Sequence, residues 1–356
     1  MMRAPKSFAV VVRRRDGSLD VHERAMLEAP SGFAKWPLVR GITSLVESLR
    51  LGSEALRFSV TRMEKDYAAA AAAGASSSTL GVLGAFGLSL FAMITRADGE
   101  PVQPTESASG GRKAGMWIML VIAIGFLVAL PQGIAAGVNR ALHLGLEVQS
   151  PGFQAITGAF KLMVVVGYML AIRRIPDIRR VFQYHGAEHK TISTYEAGET
   201  LTVEHARAKT TLHPRCGTTF LVMVVLVSIL VFTAIGAALP HIKTGSALLD
   251  NVVFFFEKLP FLPVMVAATF EMQRVFAKYF TKGPLRAVLW PGFLVQKITT
   301  AEPDDTQLEV ALASLRVTLF RQEEGEQSAT EADVSFPSYA ALLDAPRLRP
   351  AALGSA

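Results

Sequence analysis

The chain has 356 residues, 51% of them hydrophobic and 19% charged, with a mean hydropathy of +0.34. The apolar residues are gathered in long blocks, which excludes an ordinary soluble globular protein and points to the membrane class. A single cysteine excludes an internal disulfide framework, and a net charge of +6 in short scattered runs does not call for nucleic acid as a partner.

Residues 1–67 read as a cytoplasmic strand hairpin followed by an amphipathic helix. Ser7–Val12 is a strand, Asp16-Gly17 a hairpin turn, and Ser18–His22 alternates as the returning strand. Arg13, Arg14 and Arg15 form a solvated strand end suited to anionic lipid. Met1–Ser59 has no uninterrupted apolar core, so no cleavable signal peptide is read. The abrupt start on a strand suggests a start site set too late. From Trp36 to Ser59, Ile42, Leu45, Val46 and Leu49 recur at helical spacing among Glu47, Arg50, Glu54 and Arg57. That helix is too charged to span a membrane. It suits the interface, with Trp36 as anchor, or the side of a bundle.

Residues 68–113 open on an Ala-Gly stretch and close on a polar, flexible loop, Asp98–Lys113. Thr79–Thr95, between them, is at about 17 residues the short limit for a crossing, and we expect it to be re-entrant, interfacial or packed on the bundle.

Residues 114–280 read as the membrane bundle. Its spans are Ala114–Val138, kinked by Pro131, then Gly152–Ile172, Gly217–Leu239 and Leu248–Phe276. The last is interrupted by Glu257-Lys258-Leu259-Pro260. Lys161 lies within the second span, where a lysine snorkels, pairs or lines a cavity. The N-terminal segment, Ile172–Arg215 and the segment after Arg274 are rich in Lys and Arg. Asn139–Pro151 and Pro240–Leu249 hold one basic residue each, Arg140 and Lys243. The positive-inside rule therefore puts the basic regions and both termini in the cytoplasm. In residues 281–320, Trp290-Pro291-Gly292 reads as a turn, and Pro303-Asp304-Asp305 opens an amphipathic helix running to about Leu319. Residues 321–356 read as a disordered tail. The expected fold is thus mainly α: a polytopic helical membrane protein with about four spans and a small cytoplasmic α/β segment.

The chemistry is concentrated in Val181–Phe220, within or beside the expected cytoplasmic His/Cys loop 173–216. This stretch holds four of the seven histidines and the only cysteine. His185, Glu188 and His189 form an H-x-x-E-H run, which on a helix shares one face. Two imidazoles one turn apart suit a divalent metal, zinc first, and the carboxylate between them suits a general base. The order matches the inverted zincins. His213 and Cys216 offer further ligands, and thiolate plus imidazole favours zinc, iron or copper over magnesium. Glu271 and Arg274, three apart in the last span, can face each other as an ion pair, or Glu271 can serve as a further ligand or proton relay. The plain alternative is that these histidines sit at a helix end in the headgroup zone and that Cys216 is a small buried apolar residue.

The tracts VFQYHGAEHKTISTYEAGETLTVEHAR and LHPRCGTTFL resemble the YqhQ-like family of bacterial membrane proteins, a family of unknown function. MMRAPKSFAVVVRR, WPLVRG, FEMQR and PGFLVQKITTAEPDDTQLEVALASL are similar to it as well, so the likeness covers about Met1 to Leu315. Ala68–Arg112 departs most from the family pattern, and the family's short Gly-rich lead-in is missing. The resemblance implies a multi-pass protein of the bacterial plasma membrane. The family is described as a predicted metal-dependent enzyme, with His185, Glu188, His189, His213, Cys216, Glu271 and Arg274 as the matching residues. It implies no substrate.

Three functions are therefore expected to compete. The first is a membrane-bound metal-dependent hydrolase, with Glu188 as base. The second is a non-enzymatic assembly or interaction protein, with a structural metal or hydrogen-bonded His/Cys cluster and a protein partner. The third, ranked last, is a small-solute transporter using Lys161 and Glu271.

Overall fold

The computed structural model describes residues 1–26, 32, 36, 39–72, 129–235, 244–279, 289–324, 332–346 and 348. Thr79–Thr95, the loop Asp98–Lys113 and most of the first expected span lie outside these residues.

The N-terminal hairpin is present. Strands β2 (Ser7–Arg13) and β3 (Leu19–Ala25) pair antiparallel, with Val10 opposite His22 and Val11 opposite Val21. Gly17 takes φ +89° in the turn, where the Asp16 carboxylate accepts from the Ser18 N–H at 3.0 Å. Two further strands complete a four-stranded sheet in the order β1-β2-β3-β4: β1 (Met2–Ala4) and β4 (Ala332–Phe336). The fourth corrects the expectation of a disordered tail, as does the short helix Tyr339–Asp344. Residues 332–336 alternate weakly in sequence, and only the unpaired edge of β3 makes a strand of them.

Both faces of the sheet are covered, which is why β2 reads Phe-Ala-Val-Val-Val without alternation. On one face Phe8 and Val10 pack on Leu51 and Ala55 of helix α1 (Val39–Ala72). On the other, Ala9, Val11, Leu19 and Val21 meet Val310, Ala313 and Val317 of the long helix Asp305–Glu324. That helix begins where Pro303-Asp304-Asp305 predicts. His22 sits at one edge of this layer. Its Nδ1 is 2.7 Å from Asp333 of β4 and its Nε2 3.3 Å from Glu54 of α1, while Arg24 grips Glu54 through two 2.7 Å bonds.

The remaining helices, in chain order, are α2 (Leu130–Ala141), α3 (Pro151–Ile172), α4 (Pro176–Glu196), α5 (Val203–Ala208), α6 (Gly217–Ile235), α7 (Ala247–Lys258), α8 (Leu262–Tyr279), α9 (Trp290–Thr299), α10 (Asp305–Glu324) and α11 (Tyr339–Asp344). Pro151–Ile172 and Gly217–Ala234 are each long and apolar enough to cross a membrane. A third crossing is added if Val252–Lys258 and Pro263–Phe276, bent by 54° at the predicted interruption, count as one. Lys258 at this bend donates to Gln154 of α3 at 2.7 Å and lies 4.0 Å from the Phe254 ring, so its charge is not left bare in apolar surroundings. Gly158 of α3 lets Ile229 of α6 lie against its backbone, since a Cβ there would come within 2.3 Å of Ile229 Cγ1.

Two local expectations change. The stretch 173–216 is not a loop, because α4 and α5 occupy most of it. Trp290-Pro291-Gly292 is not a turn but the first turn of α9, where proline lacks only an N–H the helix does not use. Gly292 serves packing there, because a Cβ would lie 2.3 Å from Thr219 Cγ2.

Candidate metal centre

Helix α4 carries His185, Glu188 and His189 on one face, as the spacing predicts. It opens with Pro176 and Asp177, the residue types that suit a helix N-terminus. Ala187 faces Leu308, Ala311 and Leu312 of α10, which fixes the rotation of α4. Gly186 decides what covers it. A Cβ there would come within 2.2 Å of the Ala301 carbonyl oxygen. Its absence lets residues 299–302 lie flat on α4, with the Ala301 N–H donating to the Phe182 carbonyl at 2.9 Å.

That close approach brings the Thr299 carbonyl 2.9 Å from His185 Nδ1. The Thr211 carbonyl stands 2.5 Å from His189 Nδ1. Each Nδ1 therefore carries the proton and donates it to a backbone oxygen, which leaves each Nε2 facing the centre. The two rings meet edge to face, 4.4 Å between centroids. Cys216, immediately before α6, places Sγ 3.2 Å from His185 Nε2 and 3.0 Å from the Thr218 hydroxyl. One ligand atom each from His185, His189 and Cys216 lies within 4.8 Å of the other two.

The electrostatics follow from this contact. Burial by itself raises the Cys216 thiol, but hydrogen bonds from His185 and His189, and their charge, bring it down from 9.0 to about 5. Burial lowers His185, yet the bond to Cys216, its charge, the Thr299 carbonyl and the charge of Glu188 lift it from 6.5 to about 9. Without metal the pair is a thiolate beside an imidazolium. Glu188 is half-buried on the same helix face, and among the described residues no hydrogen bond or ion pair engages its carboxylate.

The donor set fits zinc. Two imidazoles with Nδ1 held by carbonyls and one thiolate are the ligands zinc prefers. Zinc bonds of about 2.0–2.3 Å set ligands roughly 3.3–3.6 Å apart, so side-chain shifts of about 1 Å close the site.

His213 stands outside this trio. Its ring is 5.7 Å from that of His189. Its Nε2 lies 3.3 Å from Glu196, and its Nδ1 accepts from the Arg215 N–H at 3.3 Å. Burial holds its pKa below the usual histidine value against the pull of Glu196. Both of its nitrogens are thus engaged in this arrangement. Glu271 is likewise taken: Arg40 of α1 grips it with Nε 2.5 Å from Oε1 and a second bond from Nη2 to Oε2. Its partner is thus Arg40, from a distant helix, while Arg274 is exposed. Gly41 permits this approach, because its missing Cβ would lie 3.1 Å from Ala267 Cα of α8.

Sequence reasoning missed the two carbonyls of Thr299 and Thr211, and two glutamines. Gln296, fully buried, accepts from the His213 N–H at 2.8 Å and donates to the His213 carbonyl and the Thr219 hydroxyl. It pins the Cys216 loop to α9. Gln273 of α8 donates to the Cys216 carbonyl at 3.2 Å. A single amide inside an apolar helical run, as in FLVQKIT, was the available signal.

Residues 36–321 match the profile of the family described as "Protein of unknown function (DUF1385)", and the chain belongs to that family. Over 328 residues, 90% of this chain and 89% of the relative, it is 27% identical to the "Uncharacterized protein YqhQ" of Bacillus subtilis (strain 168). No solved structure matches.

Proposed function

We propose that this member of the DUF1385 family is a metal-dependent hydrolase working at a membrane surface. His185, His189 and Cys216 would hold a zinc ion. One observation carries the reading: both histidines are fixed through Nδ1 on backbone carbonyls, with His185 Nε2 on the Cys216 sulfur and one ligand atom each of His185, His189 and Cys216 within 4.8 Å of the others. His213 is engaged by Glu196 and Arg215, so His185, His189 and Cys216 would be the three protein ligands and would leave a position for water. Three ligands and an open position are the pattern of catalytic zinc, whereas structural zinc has four protein ligands.

When bound, zinc supplies a Lewis acid and an acidified water. The chain's own residues supply the rest. Glu188 takes a proton on a carboxylate oxygen and returns it to the leaving group. The Thr299 and Thr211 carbonyls keep the two imidazoles in one tautomer. Gln296 and Gln273 hold the loop that carries Cys216. The two membrane-length helices, with Arg173, Arg174, Arg179 and Arg180 following α3, support a plasma-membrane location with this face in the cytoplasm.

The test is elemental mass spectrometry on detergent-purified, untagged protein. The expected result is about one zinc per chain, lost in His185→Ala/His189→Ala. Glu188→Gln should keep the zinc and abolish hydrolysis of ester, phosphodiester and peptide reporter substrates. Folded protein that takes up no metal after reloading would overturn the assignment and leave the cluster as a hydrogen-bonded clamp in an interaction protein.

A further inference from the structure

Helices α3, α6 and α9 enclose a groove of about 250 Å³ beside the metal centre. Its walls are aliphatic, among them Leu162 and Val166 of α3, Val222 and Leu226 of α6, and Leu294 and Ile298 of α9. Two of these helices are long and apolar enough to cross a membrane. The lining runs along α9 from Pro291 to Ile298, about 10 Å at helical rise.

The two ends of the groove differ. At the α9 C-terminus, Ile298 is followed by Thr299, whose carbonyl holds His185. At the same end Arg173, which caps α3, donates Nη1 to the Lys297 carbonyl at 2.6 Å. Among the described residues that is the one bond its guanidinium makes, so four of its five N–H donors are unused by the half-buried side chain. The Lys297 ammonium is directed the other way along α9, 6.0 Å from the Trp290 ring. An apolar slot therefore leads to the Arg173 guanidinium and then to the His/Cys centre.

We infer that this groove seats one acyl chain of an anionic phospholipid, with its phosphate at Arg173 and its head group turned to the centre formed by His185, His189 and Cys216. The inference rests on the hydrolase reading above and gives that site a substrate class, a lipid drawn from the bilayer. The aliphatic lining selects the chain, and a guanidinium with a fork of unused donors selects phosphate. A water-soluble substrate has no use for the slot, and a zwitterionic lipid gains less from the Arg173 charge.

The experiment uses the full chain reconstituted in phosphatidylglycerol vesicles containing a trace of phosphatidylglycerol with a diazirine on one acyl chain. Parallel vesicles carry the phosphatidylcholine counterpart. After illumination, peptides are mapped by mass spectrometry, and zinc content is measured on the same samples. The label is expected on 162–166, 222–226 and 294–298, at least fivefold weaker in Val166→Trp, which fills the slot. Arg173→Gln removes the guanidinium and its bond to the Lys297 carbonyl, and thermal unfolding of the variant checks that the fold is kept. The substitution should abolish the preference for phosphatidylglycerol while the residual label stays in place. Zinc-loaded protein should also hydrolyse the head-group phosphodiester of the labelled phosphatidylglycerol, water adding at phosphorus and glycerol leaving with a proton to give phosphatidic acid, and Glu188→Gln should not.

Labelling that ignores Val166→Trp, equal labelling by the two lipids, or cross-links between two copies of the chain at these residues would overturn the groove assignment. A labelled groove and bound zinc without lipid turnover would overturn the substrate class alone. Missing zinc with a labelled groove would instead break the hydrolase reading, so the two failures are told apart.

Discussion

Two buried histidine clusters, in different parts of the molecule, do opposite things with the same side chain. At His22 both ring nitrogens meet carboxylates, Asp333 from β4 and Glu54 from α1. The ring joins three elements and both of its nitrogens are occupied. At His185 and His189 one nitrogen is fixed on a carbonyl and the other faces a sulfur. Burial is similar, since His22 is 6% exposed and His189 4%. What separates the two settings is the partner of the second nitrogen, and His213, engaged at both, falls with His22.

The largest test of this contrast is a three-way comparison of zinc content. Cys216→Ala should take the protein from about one zinc per chain to almost none, because a two-ligand site is too poor. His213→Ala and His22→Ala should leave zinc unchanged. Loss of zinc in His213→Ala would put that ring in the centre and break the distinction.

Gly186→Ala comes next. Its Cβ would meet the Ala301 carbonyl at 2.2 Å, so residues 299–302 must lift off α4. The expected cost is about 3 kcal/mol in chemical unfolding. Zinc affinity should fall about 10-fold or more as the Thr299 carbonyl leaves His185.

A smaller effect is expected from pH in the metal-free protein. Cys216 is lowered to about 5 on folding, so its contribution is complete above 9.0 and lost as pH falls through about 5. His185 is raised to about 9, so its contribution is complete below 6.5 and lost as pH rises through about 9. Between 6.5 and about 9 the two slopes cancel. What remains is a loss of about 2 kcal/mol from pH 6.5 down to 5. Unfolding curves at those two pH values should show this slope in the wild type and not in Cys216→Ser.

The smallest effect belongs to His22→Ala, which should cost about 1–2 kcal/mol by leaving Asp333 and Glu54 without a shared donor. The signature would be local, with faster amide exchange in β4 than in β2.

These residues also show what could be read from sequence and what could not. The hairpin, the H-x-x-E-H face, the helix after Pro303 and the break at Glu257–Pro260 follow from patterns a few residues long. Cys216 entered as a ligand by residue type, and it does join the two histidines. His213 entered the same way and does not, because Glu196 and Arg215 reach it through the turn of the chain after α4. Glu271 was paired in sequence with Arg274, three positions away. Its actual partner, Arg40, comes from 231 residues earlier. The Thr299 and Thr211 carbonyls carry no side-chain signature, so no motif announces them. Strand β4 was missed for a related reason: its identity depends on β3, which lies at the other end of the chain.

That last strand has a consequence for how the protein is made. His22 and Asp333 are separated by 311 residues. Everything of membrane length is synthesised between them. The first three strands can pair early, but the edge of β3 stays open until residue 336 has left the ribosome. α10, which covers one sheet face and braces α4, also arrives late. The cluster of His185, His189 and Cys216 therefore cannot be assembled by local folding as α4 emerges. It closes only after the apolar helices and α10 have joined α4, so it forms with the tertiary fold and not before it.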